Sequence, residues 1–256
     1  MKKSFLAIYI LLIATAVNAE VVSQNVEYKH EDTVLEGFLA YDDTVKGKRP
    51  GVLVVHEWWG LNDYVRMRVD KLAKLGYVAF ALDMYGRGIW TDQASKAQEL
   101  SGHLRGKPIL RQRALEGLEI LRKNERVDPT KIAAIGYCFG GTTVLELAYS
   151  GADIAGVVSF HGGLTTPKAE DMSRIQAKIL VLHGANDAFI PPEKIAAFQE
   201  GVGKAGADWQ MIYYGGAVHS FTNPAADKKN INGLAYSPSA DKRSWKHMQL
   251  FFDEIF

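Results

Sequence analysis

Apolar and polar residues alternate strictly in one early part of the chain. Between residues 33 and 41, Val34, Glu36, Phe38 and Ala40 face one way, and Leu35, Gly37, Leu39 and Tyr41 the other. With residues 21–29 and the link His30-Glu31-Asp32, this predicts an antiparallel hairpin. The pattern then changes to unbroken apolar runs, over 51–56, 77–82, 131–135, 154–160, 178–183 and 209–214. Runs without alternation fit strands buried on both faces. Between them lie stretches of helical spacing. Residues 64–75 carry Val65, Val69, Leu72 and Leu75 and close on Gly76. A polar helix is expected over 92–104, and Pro108 opens another with Leu110, Leu115, Leu118 and Leu121 on one face. Further helices are expected over 141–149, 192–204 and 242–256. Strands alternating with helices predict an α/β fold. Its central sheet is mostly parallel, has helices on both faces and is led by the antiparallel hairpin. No repeat or shift of composition divides residues 20–256, which read as one domain.

Residues 1–19 read as a signal peptide. Lys2-Lys3 precede an apolar run over 5–13, and Val17-Asn18-Ala19 supply small residues for cleavage after Ala19. The run is short for a membrane span of about 20 residues. The residue directly after the cleavage point is Glu20 and not a cysteine, which argues against a lipid anchor. The mature protein is expected outside the cytoplasm, in the periplasm of a Gram-negative host. The formal net charge is +1 and like charges form no block, so no basic patch for nucleic acid or an anionic membrane is visible in the sequence. The single cysteine excludes an intrachain disulfide framework and any multi-cysteine metal site. A lone thiol in an oxidising compartment points to a sulfur kept for its chemistry.

That cysteine is Cys138, in Gly136-Tyr137-Cys138-Phe139-Gly140-Gly141, between a predicted strand and a predicted helix. Gly-x-Cys-x-Gly at such a junction is the nucleophile-elbow pattern with sulfur in place of oxygen. The turn needs glycines where strand and helix approach, and it sets the sulfur at a helix N-terminus, whose potential favours thiolate. Ligands of open α/β sheets gather beyond the carboxyl ends of the strands. Cys138, Asp187 and His219 all fall just after predicted strands, in the order nucleophile, acid, histidine. His219 would relay the proton, and Asp187 would hold its tautomer. The backbone N–H groups of Phe139 and Trp58 would form the oxyanion hole. His161 is a weaker rival for the base. His56 and His183, at strand ends, read as buried structural groups.

Taken as a set, the elbow sequence, Asp187 in Gly-Ala-Asn-Asp-Ala-Phe-Ile-Pro and His219 in Val-His-Ser-Phe resemble the dienelactone hydrolase family over nearly the whole of residues 20–256. The resemblance implies the α/β-hydrolase fold, a Cys-His-Asp triad and opening of enol-lactones such as carboxymethylenebutenolide without a cofactor. It also implies roles for Glu57, beside the resting thiol, and for Arg87, contacting that glutamate and a substrate carboxylate. One position departs. Four residues after the histidine the enol-lactone hydrolases carry a second arginine, and here stands Asn223. An amide cannot form a charged bidentate pair with a carboxylate. The expected function is therefore hydrolysis of small esters or lactones through an acyl-cysteine. An acyltransferase or peptidase on the same fold, and a non-catalytic binding protein on the hydrolase scaffold, are the alternatives.

Overall fold

The computed structural model describes residues 20–256; the signal-peptide reading of residues 1–19 lies outside them. Eight strands form one sheet: β1 (Val21–His30), β2 (Thr33–Asp42), β3 (Arg49–Val55), β4 (Val78–Leu82), β5 (Val127–Tyr137), β6 (Gly156–Phe160), β7 (Lys178–Gly184) and β8 (Trp209–Tyr214). Their spatial order is β1-β2-β4-β3-β5-β6-β7-β8. The hairpin pairs from Val21 opposite Asp42 to His30 opposite Thr33, and β2 joins β4 antiparallel. All other pairings are parallel. This is the α/β arrangement that the alternation of runs predicts, with the α/β-hydrolase order that the resemblance implies.

Among the described residues seven α-helices lie between or after the strands: α1 (Asp63–Ala73), α2 (Ala94–Gly102), α3 (Pro108–Arg122), α4 (Phe139–Tyr149), α5 (Ala169–Met172), α6 (Pro192–Lys204) and α7 (Pro238–Ile255). The period-two pleat of each central strand sends alternate residues to two separate cores. From β3, Leu53 and Val55 pack with Leu118 and Leu121 of α3 and Leu145 of α4, while Val52 and Val54 pack with Val65, Val69 and Leu72 of α1 and Phe252 of α7. An unbroken apolar run is thus what a strand covered on both faces requires. In β2 it is the Leu35, Gly37 and Leu39 face that is buried.

Several boundaries differ from the sequence reading. β5 begins at Val127, four residues before the apolar run over 131–135, and runs through Asp128-Pro129, a pair that favours turns. Val127 pairs with Arg49, and the register shifts between Arg49 and Gly51. Strand pairing at the sheet's end overrides the local turn preference, as an irregularity in the ladder permits. α7 begins at Pro238, four residues earlier than expected, with Ser237 accepting from Ala240 N–H as its cap. On α3, Leu110, Leu118 and Leu121 are buried, but Leu115 faces outward.

Candidate active site

The elbow forms as the glycine spacing requires. β5 ends at Tyr137, α4 starts at Phe139, and Cys138 between them has φ 53°. A Cβ on Gly136 would stand 2.0 Å from the carbonyl oxygen of Gly140, and one on Gly140 would stand 2.2 Å from that of Val55. Both atoms are backbone and cannot swing away. Gly140→Ala is therefore expected to lower stability by about 3 kcal/mol. Gly203→Ala, at a helical site with nothing within 4 Å, should be neutral or slightly stabilising. Urea unfolding of the two variants checks the pair.

Cys138 is partly exposed and lines a cavity of about 250 Å³ with His219, Trp58, Phe189, Ile190 and Leu234. Asp187, in the loop after β7, is 6 % exposed, and its Oδ2 lies 2.7 Å from His219 Nδ1. Its Oδ1 accepts from Phe189 N–H at 3.0 Å, which fixes the carboxylate. With Nδ1 given to Asp187, Nε2 is the nitrogen left for the cysteine. Burial pushes the His219 pKa down, but the Cys138 sulfur and the Asp187 carboxylate outweigh it and raise it to about 10. The amides of Trp58 and Phe139 donate to no other group among the described residues. They are free for a substrate oxygen.

The segment after His219 folds back over this cavity. Ala235 N–H donates to the His219 carbonyl, His219 N–H to Gly233, and Ser237 N–H to Phe221. Ile231 and Leu234 from it line the cavity wall. Arg68 of α1, buried under Tyr64, Tyr137 and Trp245, ties the segment down through the Thr222 carbonyl and Asp241.

Three other histidines have clear positions. His161 is buried, and neither ring nitrogen is free: Nδ1 accepts from Cys138 N–H at 3.2 Å, and Nε2 meets Thr222 Oγ1 at 2.7 Å. Burial holds its pKa well below the usual value. It braces the backbone of the elbow from behind and is not placed to act as the base. His56 takes Met84 N–H on Nε2 and gives its Nδ1 proton to the Glu57 carbonyl, so it fixes the turn that carries Trp58. His183 is buried at the end of β7.

Glu57 and Arg87 are not brought together. Glu57 is 2 % exposed; Ser220 Oγ donates to its Oε1 at 2.9 Å and Asn223 Nδ2 to its Oε2 at 2.6 Å. Burial raises the pKa of this carboxyl, against those two hydrogen bonds. Arg87 lies at the surface with its guanidinium on Glu27 of β1. The expected contact of Arg87 with Glu57 is therefore absent, because a nearer carboxylate from the neighbouring hairpin takes the arginine. Asn223 does not stand in for a substrate-binding arginine either; its amide is spent on Glu57. The cations that do border the cavity are Arg105 and Lys194, which the sequence reading passed over. Among the described residues no group of three His, Cys, Asp or Glu is gathered as a metal site requires.

A sequence model of the dienelactone hydrolase family matches residues 35–256. The chain belongs to the dienelactone hydrolase family. It is 42% identical to a dienelactone hydrolase-like promiscuous phosphotriesterase from metagenomic libraries, over 92% of this chain and 99% of that one, with a TM-score of 0.89. It is 28% identical to a protein of Aquifex aeolicus named putative carboxymethylenebutenolidase, over 90% of this chain and 98% of that one. A protein of Aquifex pyrophilus named Protein usf is 26% identical over 91% and 99%.

Proposed function

We propose that this family member is an exported hydrolase of small carboxylic esters or lactones that works through an acyl-cysteine. One observation carries the reading: the Asp187–His219 hydrogen bond of 2.7 Å ends in the same cavity as the only thiol of the chain. Cys138 Sγ attacks the carbonyl carbon, and the proton shared by Sγ and His219 rests on Nε2. The carbonyl oxygen takes the negative charge and is held by the N–H groups of Trp58 and Phe139. The C–O bond breaks, and His219 gives its proton to the departing oxygen. In the resting site the Cys138 sulfur and the Asp187 carboxylate raise the ring's pKa to about 10, which loads the proton on Nε2; once Sγ is bonded to the substrate the sulfur's charge is gone and the ring gives that proton up. Water then attacks the thioester, with His219 as base, and releases the acid and the free thiol.

Trp58, Phe189, Ile190, Ile231 and Leu234 make the cavity largely apolar, which favours an uncharged group next to the reacting bond. The two positions that would have held an enol-lactone carboxylate are otherwise engaged, Arg87 with Glu27 and Asn223 with Glu57. That argues against carboxymethylenebutenolide itself. Export rests on residues 1–19, with residues 20–256 as the mature hydrolase domain.

The test is mass spectrometry of protein quenched during turnover of an activated aryl ester. The Cys138 peptide should carry the acyl mass, and the label should vanish as water completes the cycle. Acyl mass on any other residue would overturn the reading. A second substrate class is favoured by the name of the 42%-identical relative. With a neutral aryl phosphotriester, Sγ would form the S–P bond, the aryl oxide would leave, and water would release the phosphodiester. The same experiment reads it as a phosphoryl mass on Cys138.

A further inference from the structure

The cavity that holds Cys138 opens into a second depression. Beside it lies a groove of about 540 Å³, and the two share Arg105, Gly163 and Lys194 in their walls. The groove runs between the start of α3 and the segment from β6 through α5 to α6. Six cationic side chains line it, Arg105, Lys107, Arg111, Lys168, Arg174 and Lys194, against one carboxylate, Glu146. Arg105, Lys107 and Arg111 stand within seven residues of one another, and the fold brings Lys168, Arg174 and Lys194 to them.

Two of the six are compensated. Arg111 is held by Glu146 at 2.8 Å and Asp171 at 2.6 Å, and Lys168 lies 4.0 Å from Glu170. Arg105, Lys107, Arg174 and Lys194 form no ion pair among the described residues. Arg105 stands over the ring of Phe139, the residue next to the cysteine, at 5.4 Å, and so marks the boundary between cavity and groove. The whole chain carries a net charge of only +1, so four uncompensated cations around one concavity are a local concentration. Like charges set together oppose folding, and concave low-dielectric walls focus their potential on whatever enters. The apolar cavity at Cys138 and the basic groove beyond it together describe an amphipathic ligand.

We propose that the substrate carries an anionic group, a carboxylate or a phosphate, remote from the reacting carbonyl, and that this group lies in the groove on Lys107, Arg174 and Lys194. The apolar part occupies the cavity and presents the ester to Cys138. This subsite is separate from the positions of Arg87 and Asn223, whose side chains are bound to Glu27 and Glu57. The proposal rests on the reading of Cys138 as nucleophile.

Three matched esters test it, with the same reacting group and a tail ending in a neutral amide, a carboxylate or a phosphate. The double variant Lys107→Gln/Arg174→Gln removes two cations that line the groove but not the cavity of Cys138. KM for the anionic esters should rise roughly 3- to 10-fold with kcat unchanged, as two exposed ion pairs allow. The neutral ester should keep both constants. Raising the salt concentration should raise KM for the anionic esters in the unmodified protein and do so less in the variant. A matched variant on another face, Lys242→Gln/Lys246→Gln, should change nothing, which separates the groove from the general field of the protein. A shift confined to one anionic ester identifies its end group as the one bound. Equal shifts for all three esters, or none, would overturn the proposal. Binding is also read without turnover, as protection of Cys138 from iodoacetamide by the amide analogues of the three esters. Anionic analogues should protect at lower concentration than the neutral one, and the double variant should abolish the difference. Equal protection by all three overturns the groove, whereas absent ester hydrolysis with unequal protection overturns the nucleophile reading alone.

Discussion

Cys138→Ala should remove ester turnover by a factor on the order of 10⁴ to 10⁶, with fold and stability nearly intact. The size follows from what the sulfur does. Without it no covalent intermediate forms, and only the oxyanion amides and binding remain to favour hydrolysis by water. The fold should tolerate the change because the side chain is partly exposed at the cavity wall, while the φ of 53° is set by the backbone and its glycine neighbours. Cys138→Ser should be weak rather than normal, since a hydroxyl is a much poorer nucleophile at neutral pH. The chain has one cysteine, so alkylation is a second measure: one equivalent of iodoacetamide should abolish activity. Steady-state rates and far-UV circular dichroism on the same samples separate loss of chemistry from loss of fold. Turnover of Cys138→Ala within tenfold of the unmodified protein would sink the acyl-cysteine mechanism.

What the sequence made legible was mostly local. The central strands were readable because burial on both faces leaves no room for polar residues, and β3 shows that pattern from Gly51 to Val55. The elbow was readable because its glycines answer to contacts within a few residues, Gly136 against Gly140 above all. The order of Cys138, Asp187 and His219 was readable because strand ends are marked by the runs before them. The failures are contacts between distant segments. Arg87 was placed by its position in a motif, but its partner, Glu27, lies 60 residues away on the hairpin. Asn223 read as a missing arginine, and its tie to Glu57 spans 166 residues. The basic groove was invisible because its cations come from three stretches, 105–111, 168–174 and Lys194, which meet only in the fold. His161 did leave a signal, a histidine at a strand end before Gly162-Gly163. Its brace on the Cys138 amide depends on the β5–β6 register, which composition does not encode.

Asp187→Asn should lower kcat by about 10⁴, and it should also change how stability depends on pH. An amide can donate its N–H to His219 Nδ1, which leaves the ring proton on Nε2, where it cannot accept from the thiol. The pH effect has a separate origin. In the folded protein the Cys138 sulfur and the Asp187 carboxylate overcome burial and raise His219 from 6.5 to about 10. In the unfolded chain the imidazole releases its proton near its ordinary value. Between about 6.5 and 10 the folded state therefore binds more proton than the unfolded state, so stability falls as pH rises through that window. Below 6.5 both states are protonated and the contribution is complete. Removing the Asp187 charge lowers the folded pKa and narrows the window, so the decline in urea midpoint from pH 7 to pH 10 should be shallower in Asp187→Asn. The variant also leaves His219 buried without its ion partner, so it should be less stable than the unmodified protein at pH 7. A variant with low kcat but an unchanged pH slope would mean that Asp187 acts on the reaction without holding the charge of His219.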